Sequence, residues 1–323
     1  MNIFFKKYVW AVLFAIVLTS FTLYVALDTF VITRVYSIVA EQDSLPQNTS
    51  ASEPEAKDGE AATVKPGATQ EAAPPAATEA EITENTYSDS NITITITEYQ
   101  EYDTTIYVAD VQVSSPEYLK TAFAQSAYGK NITEKTSAIA EKNEAVLAIN
   151  GDYYGAQTKG YVLRNGTLYR ESADSGQEDL VIRSDGSFEI ITEDDSPASK
   201  LLEQGAAQVL SFGPALVEDG SIAVSENDEV DKARASNPRT AIGIIDSLHY
   251  IFIVSDGRTS DSRGLSLYQL AEFMQGLGAD IAYNLDGGGS STMVFQGEVI
   301  NNPTTGGNRI SERSVSDIVY IGY

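Results

Sequence analysis

The chain has no cysteine, a single histidine and less than half as many basic as acidic residues, 21 against 46. Each shortage excludes something. Without cysteine there is no disulfide, no thiol nucleophile and no thiolate metal site, as suits a bacterial surface protein. With His249 alone, a multi-histidine zinc centre is impossible, and a Ser-His-Asp triad would have to use that residue. His249 lies in the apolar run HYIFIV, where a structural role is the better fit. The formal net charge of −25 argues against nucleic acid or an anionic membrane surface as partner, because the field of the whole molecule repels polyphosphate. It leaves room for one small phosphate on a local arginine cluster. Chemistry falls to carboxylates, arginines, hydroxyls or a metal held by oxygen.

What is present is unevenly spread. Residues 8–27, YVWAVLFAIVLTSFTLYVAL, carry no charge and have about the length that spans a bilayer as a helix. Lys6 and Lys7 precede the run and Asp28 follows it, which places the N-terminus in the cytoplasm and the rest outside. The run is long for a signal-peptide core and no small-residue cleavage site follows promptly, so an uncleaved anchor is expected over residues 1–39. Residues 40–88, with stretches such as TQEAAPPAATEAE, have too little apolar surface to offset their ordering entropy. They are expected to form a disordered linker, kept extended by proline and like charge. Residues 89–323 are then a globular domain on the outer side of the cell membrane.

Period-two alternation in NITITITEYQ and TTIYVADVQV predicts an opening pair of strands. PEYLKTAFA and TEKTSAIAEKN read as helical, and AVLAIN as a buried strand running into the loop GDYYG. Asn-Gly in YVLRNGTLYR and Asp-Gly in VIRSDGSFEI are hairpin signals. Strands outweigh helices, so the fold class is α+β, a mixed, largely antiparallel sheet with a few flanking helices. ENDEVDKARAS lacks the spacing of an EF-hand and reads as a solvated loop.

The chemistry gathers between Asn237 and Phe295. RTAIGII and HYIFIV form a hairpin through Asp246-Ser247, which brings Arg239 beside Asp256 and Arg258. SLYQLAEFMQGLG is a helix with Ser266 and Gln269 at capping-box spacing, and IAYNL is the next strand. The helix is then a crossover, so HYIFIV and IAYNL run parallel and open their C-terminal loops, SDGR and DGGG, at one edge. The polar loop after AVLAIN, with Asn150 and Asp152, is expected to face the same way. The run Asp286-Gly287-Gly288-Gly289-Ser290-Ser291 is neither a Walker loop, which needs a lysine, nor a dinucleotide loop, which must open a helix. It sits between two strands. Two readings stand: a nest of backbone amides and hydroxyls for an anion or sugar, or a glycine-rich turn beside an exposed acid. Asp256 likewise is either a second catalytic carboxylate or an acid that pairs with Arg239 at a strand end.

NPRTAIG, SDGR, RGLSLYQLAEFMQGLGA and NLDGGGSSTMVF, in that order, resemble the phosphodiester glycosidase family, whose bacterial members are described as exopolysaccharide-biosynthesis-related. AINGDYYG and SERSVSDIVYIGY also look like family segments. The resemblance implies hydrolysis of a sugar-1-phosphodiester in a wall or capsule glycopolymer, with no cofactor. It places Asp286, Asp256 and Arg239 in the catalytic group and Arg258, Asn284 and Gly287 to Ser291 around the substrate. Asn150, Asp152, Gly264, Glu272 and Arg313 follow as second-rank members. A phosphate leaves as a stable anion, so one carboxylate and an arginine clamp suffice where most glycosidases need two carboxyl groups. A non-catalytic module recognising sugar phosphate would use the same pocket. An oxygen-ligated metal on Asp256 and Asp286 is a third, lesser reading.

Overall fold

A strand buried on both faces reads as a continuous apolar run, and AIGII and YIFIV meet that condition. In the computed structural model, which describes residues 8–38, 80–226, 236–306 and 309–323, these two strands sit inside a nine-stranded sheet. Its order is Ser221–Ile222, Ala215–Glu218, Ile281–Leu285, Arg239–Asp246, His249–Ser255, Thr104–Val113, Ile92–Glu101, Thr86–Ser88 and Glu81–Ile82. Every neighbouring pair is antiparallel. Helix α4 (Leu267–Gly276) covers one face, seating Leu267, Leu270, Ala271 and Met274 on Ala241, Ile251, Ile253 and Ala282. Its N-terminus carries the expected capping box between Ser266 and Gln269.

The other face packs on two five-stranded sheets. Ile242, Phe252, Val254 and Leu285 share one buried cluster with Leu147, Ile149, Val319 and Ile321 from one of them and with Leu180 and Ile182 from the other. The first of these sheets has the order Glu298–Val299, Met293–Phe295, Leu147–Asn150, Asp317–Ile321, Leu119–Phe123. The second contains both predicted hairpins, closed at Asn165-Gly166 and Asp185-Gly186. The architecture is α+β and mostly antiparallel. The crossover also takes its expected direction: the strands ending at Ser255 and Leu285 are both antiparallel to the Arg239 strand between them, so they are parallel to each other.

PEYLKTAFA departs from expectation. It forms a 3₁₀ turn, Pro116–Tyr118, and then the strand Leu119–Phe123, which pairs with Asp317–Ile321. Leu119, Thr121 and Phe123 alternate into the interior, a period-two pattern hidden inside good helix formers. At the N-terminal side, Glu81–Ile82 and Thr86–Ser88 extend the large sheet upstream of residue 89. The greater part of the expected linker, residues 40–79, and ENDEVDKARAS between Glu226 and Ser236 lie outside the described residues.

Helix α1 (Val9–Phe30) is 22 residues long, mostly apolar and buries none of its side chains, so by length and composition it suits a bilayer. The strand Arg34–Ile38 follows and pairs antiparallel with Ala127–Lys130. Asp28 pairs with Arg34 and Lys130, and Asn131 Nδ2 donates to the Thr29 and Ile32 carbonyls. The end of the helix is thus fastened to the domain.

Candidate active site

Register alone assembles the rim. Arg239 lies opposite Ser255, and Thr240 opposite Leu285, so the Asp256 and Asp286 loops leave the sheet on either side of Arg239. The glycines are dictated by how closely the loop presses on its neighbours. A Cβ on Gly287 would lie 2.9 Å from the Pro238 carbonyl oxygen, and one on Gly288 2.8 Å from Arg258 Nη2. One on Gly289 would lie 2.5 Å from Thr305 Oγ1. Gly288 also has φ +62°, a left-handed conformation. The amides of Gly288, Ser290 and Ser291 are already taken by the carbonyls of Pro238, Gly287 and Gly288. Those three amides do not form an open nest.

Asp286 Oδ2 accepts from Ser290 Oγ at 2.6 Å and from Arg313 Nη2 at 3.0 Å. Arg313 Nε donates to Ser290 Oγ at 2.9 Å, so the serine passes one guanidinium contact on to the acid. Burial pushes the Asp286 carboxyl above its ordinary value, against the lowering pull of Arg313, Ser290 and the Gly287 amide. Asn150 fixes the backbone beneath: Nδ2 donates to the Asp286 carbonyl at 2.6 Å, while Oδ1 accepts from Thr240 Oγ1 at 2.8 Å and the Thr292 amide at 3.2 Å. The loop after AVLAIN does reach this edge, since the Asp286 amide donates to the Gly151 carbonyl.

The other predicted residues divide. Arg239 is buried and gives its Nε to the Leu265 carbonyl, and its side chain lies along Gly287. Arg258 is exposed, has φ +62° and holds Asn237 Oδ1 through Nε and Nη2. Gly264, at φ +94°, lies tight against Asn237 beside the Asn237–Leu265 bridge. Asp256 is buried and accepts from Asn301 Nδ2, Asn302 Nδ2 and the Asn302 amide. In this structure its hydrogen bonds pin that turn. Asn284 is fully buried and donates to the Gly213 carbonyl at 2.7 Å, inside the sheet. The Ser291 hydroxyl is buried without a hydrogen bond among the described residues.

Asp152 is turned inward. Its carboxylate takes Arg164 Nη2 at 2.7 Å and the amides of Ser211 and Tyr154. Glu272, on α4, forms no hydrogen bond or ion pair with this cluster; it stands near Tyr102, whose phenol is pushed up by burial and by the Glu272 charge. No group of three or more His, Cys, Asp or Glu side chains suited to a metal ion occurs among the described residues.

The family model described as phosphodiester glycosidase matches residues 143–322, from the strand that carries Asn150 to the one that follows Arg313. The chain belongs to the phosphodiester glycosidase family. Among its relatives, the prophage-derived uncharacterized protein YomE of Bacillus subtilis is 29% identical over 203 residues, 61% of this chain and 31% of that protein. Mouse N-acetylglucosamine-1-phosphodiester α-N-acetylglucosaminidase is 29% identical over 177 residues, 49% of this chain and 33% of the enzyme. The chain therefore spans about a third of the length of these relatives. The catalytic domain of the zebrafish enzyme of that name, auto-inhibited by its pro-peptide, shares the fold with a TM-score of 0.58 at 24% identity, covering 72% of this chain and 83% of that one.

Three parts of this phosphodiester glycosidase domain lay beyond sequence reasoning. Arg164 is buried and joins Asp152 to Asp317, meeting Asp317 Oδ2 at 2.8 Å. Asp317 in turn presses against Gly151, and its carboxyl is pushed up to about 8 by burial and the Asp152 charge, against Arg164. Asn301 and Asn302 hold Asp256. None carries a local signal except the turn-forming NNP. Arg313 did appear in a segment of family likeness, but only the fold shows that it is the guanidinium on Asp286.

Proposed function

We propose that the chain is a membrane-anchored hydrolase of the cell exterior that cleaves the bond between an anomeric carbon and a phosphodiester in a cell-surface glycopolymer. Water attacks the anomeric carbon, its proton passes to the Asp286 carboxylate, and the C–O bond breaks with the electron pair leaving on the phosphomonoester. Arg313 and Arg258 neutralise the departing phosphate at the rim, while Arg239 backs the glycine loop that carries the acid. The observation that supports this most is the Asp286–Ser290–Arg313 contact. It joins a carboxylate of raised basicity to a half-exposed guanidinium that can reach a ligand. α1 supplies the anchor, and the names of the relatives supply the substrate class.

The test is release of free sugar from a synthetic N-acetylglucosamine-α-1-phosphodiester. Asp286→Asn is expected to lower kcat by at least about a hundredfold with the melting temperature retained. Saturable binding of the diester by the wild-type chain without release would replace the hydrolase by a binding module.

A further inference from the structure

A cleft away from the Asp286 rim gathers lysines in a strongly acidic molecule. It encloses about 620 Å³ between the edge strand Leu119–Phe123, the end of helix α2 (Thr136–Lys142) and the hairpin around Asn165-Gly166. Lys120 and Tyr320 are directly paired across strands at its floor. Tyr169 and Tyr323 line it further, and Lys142 with Asn143 closes it at the helix end. The lysine ion pairs of the described residues are Lys130–Asp28 and Lys159–Asp174, so neither amine in the cleft makes a close ion pair, although the Glu117 charge acts on Lys120. Glu144 is also at the cleft, and the charge of Arg164 is already taken by Asp152 and Asp317. In a chain of net charge −25, two unpaired lysines beside three tyrosines make this cleft far less acidic than the molecule as a whole, even with Glu144 and Glu117 near it.

Burial lowers the Lys120 amine below its ordinary value against the opposing pull of Glu117, and a bound anion would add to that pull. Tyrosine rings offer apolar faces to a sugar ring and hydroxyls to its edge, the Asn143 amide can bond sugar hydroxyls, and an ammonium is a point charge for phosphate. Position separates a glycan from a lipid headgroup. The strand Arg34–Ile38 leaves the end of α1 at Arg34, and the cleft touches it only at Ser37 and Ile38. That is roughly 10–13 Å further along the chain from the helix end, at about 3.3 Å per residue. Along Asp317–Ile321 the same rise puts Tyr320 about 10 Å from Asp317, which packs on the Gly151 loop beneath Asp286. A polymer of several sugars can span that distance.

We propose that this cleft is an accessory site for a second phosphate- or carboxylate-bearing sugar of the polymer presented to Asp286. Its taste for anions stands independently, while the identification of the ligand as a glycan rests on the proposed function.

The probe is a hexamer of 1-phosphate-linked N-acetylglucosamine, bound to the full chain in phosphatidylcholine nanodiscs and measured by calorimetry. Asp286→Asn is the background, so that the hexamer survives. Adding Lys120→Gln with Lys142→Gln is expected to weaken binding by about tenfold or more. The exposed change Lys142→Gln by itself is expected to weaken it with melting unchanged, which guards against misfolding of the half-buried Lys120 variant. In the otherwise wild-type chain, the same changes leave turnover of the monomeric diester as it was. Equal hexamer affinity in all variants overturns the site, as does a parallel loss of monomer turnover. Loss of hexamer binding when phosphatidylglycerol is added to the nanodiscs assigns the cleft to lipid and also overturns it. Lysine-dependent hexamer binding by a chain that never hydrolyses the monomer supports the cleft and removes the proposed hydrolase.

Discussion

At Asp286 two opposing influences meet. Burial favours the protonated acid, whereas Arg313, Ser290 and the Gly287 amide favour the carboxylate, and burial prevails. A base of this kind is more effective once ionised, and it loses its charge at a higher pH than an exposed aspartate. Turnover is therefore expected to fall on acidification from above the usual carboxylate range. Asp179 shows the stability side of the same physics. It is buried facing Glu193, and burial followed by the Glu193 charge pushes it up to about 10. The folded chain keeps a proton that the unfolded chain releases near about pH 4. The resulting stabilisation is complete below that value and is lost progressively as pH rises from there through about 10. Asp179→Asn keeps the shape without the titration. Denaturant melts at pH 5, 7 and 9 are expected to show the variant gaining on wild type as pH rises; parallel curves would mean that Asp179 is ionised in the fold.

Among the elements, the glycine loop is the most constrained. A methyl on Gly289 would press on Thr305 Oγ1, so Gly289→Ala is expected to displace Ser290 and Asp286 and lower kcat/KM by about a hundredfold. Thr305→Ala in the same chain clears that space and should return most of the activity. Full activity of Gly289→Ala by itself would show that close approach is not what the glycine provides. The hairpins at Asn165-Gly166 and Asp185-Gly186 and the capping box of α4 were legible because turn and cap chemistry act over two to four residues. PEYLKTAFA was not. Its strand exists because Asp317–Ile321, almost two hundred residues downstream, offers an edge to pair with.

For the whole molecule, if α1 is the anchor proposed above, the strand after it sets where the rim can work. With Arg34–Ile38 added to the Ala127–Lys130 edge, the domain is fastened next to the helix end whatever path residues 39–79 take. Alkaline carbonate extraction is expected to leave the full chain in the membrane fraction; release into the supernatant would dismiss the anchor. Order along the chain was enough to determine the apolar span, the alternating strands, the tight turns, the crossover and the lone histidine, because each depends on composition or on near neighbours. Partner choice needed the folded molecule. That Arg313 holds Asp286, that Asp256 serves two asparagines, and that Asp152 is enclosed with Arg164 and Asp317 are decided by side chains from 12 to 153 residues apart. A buried charge takes whichever opposite charge or hydrogen-bond partner the packing brings within reach, and no local pattern encodes that proximity.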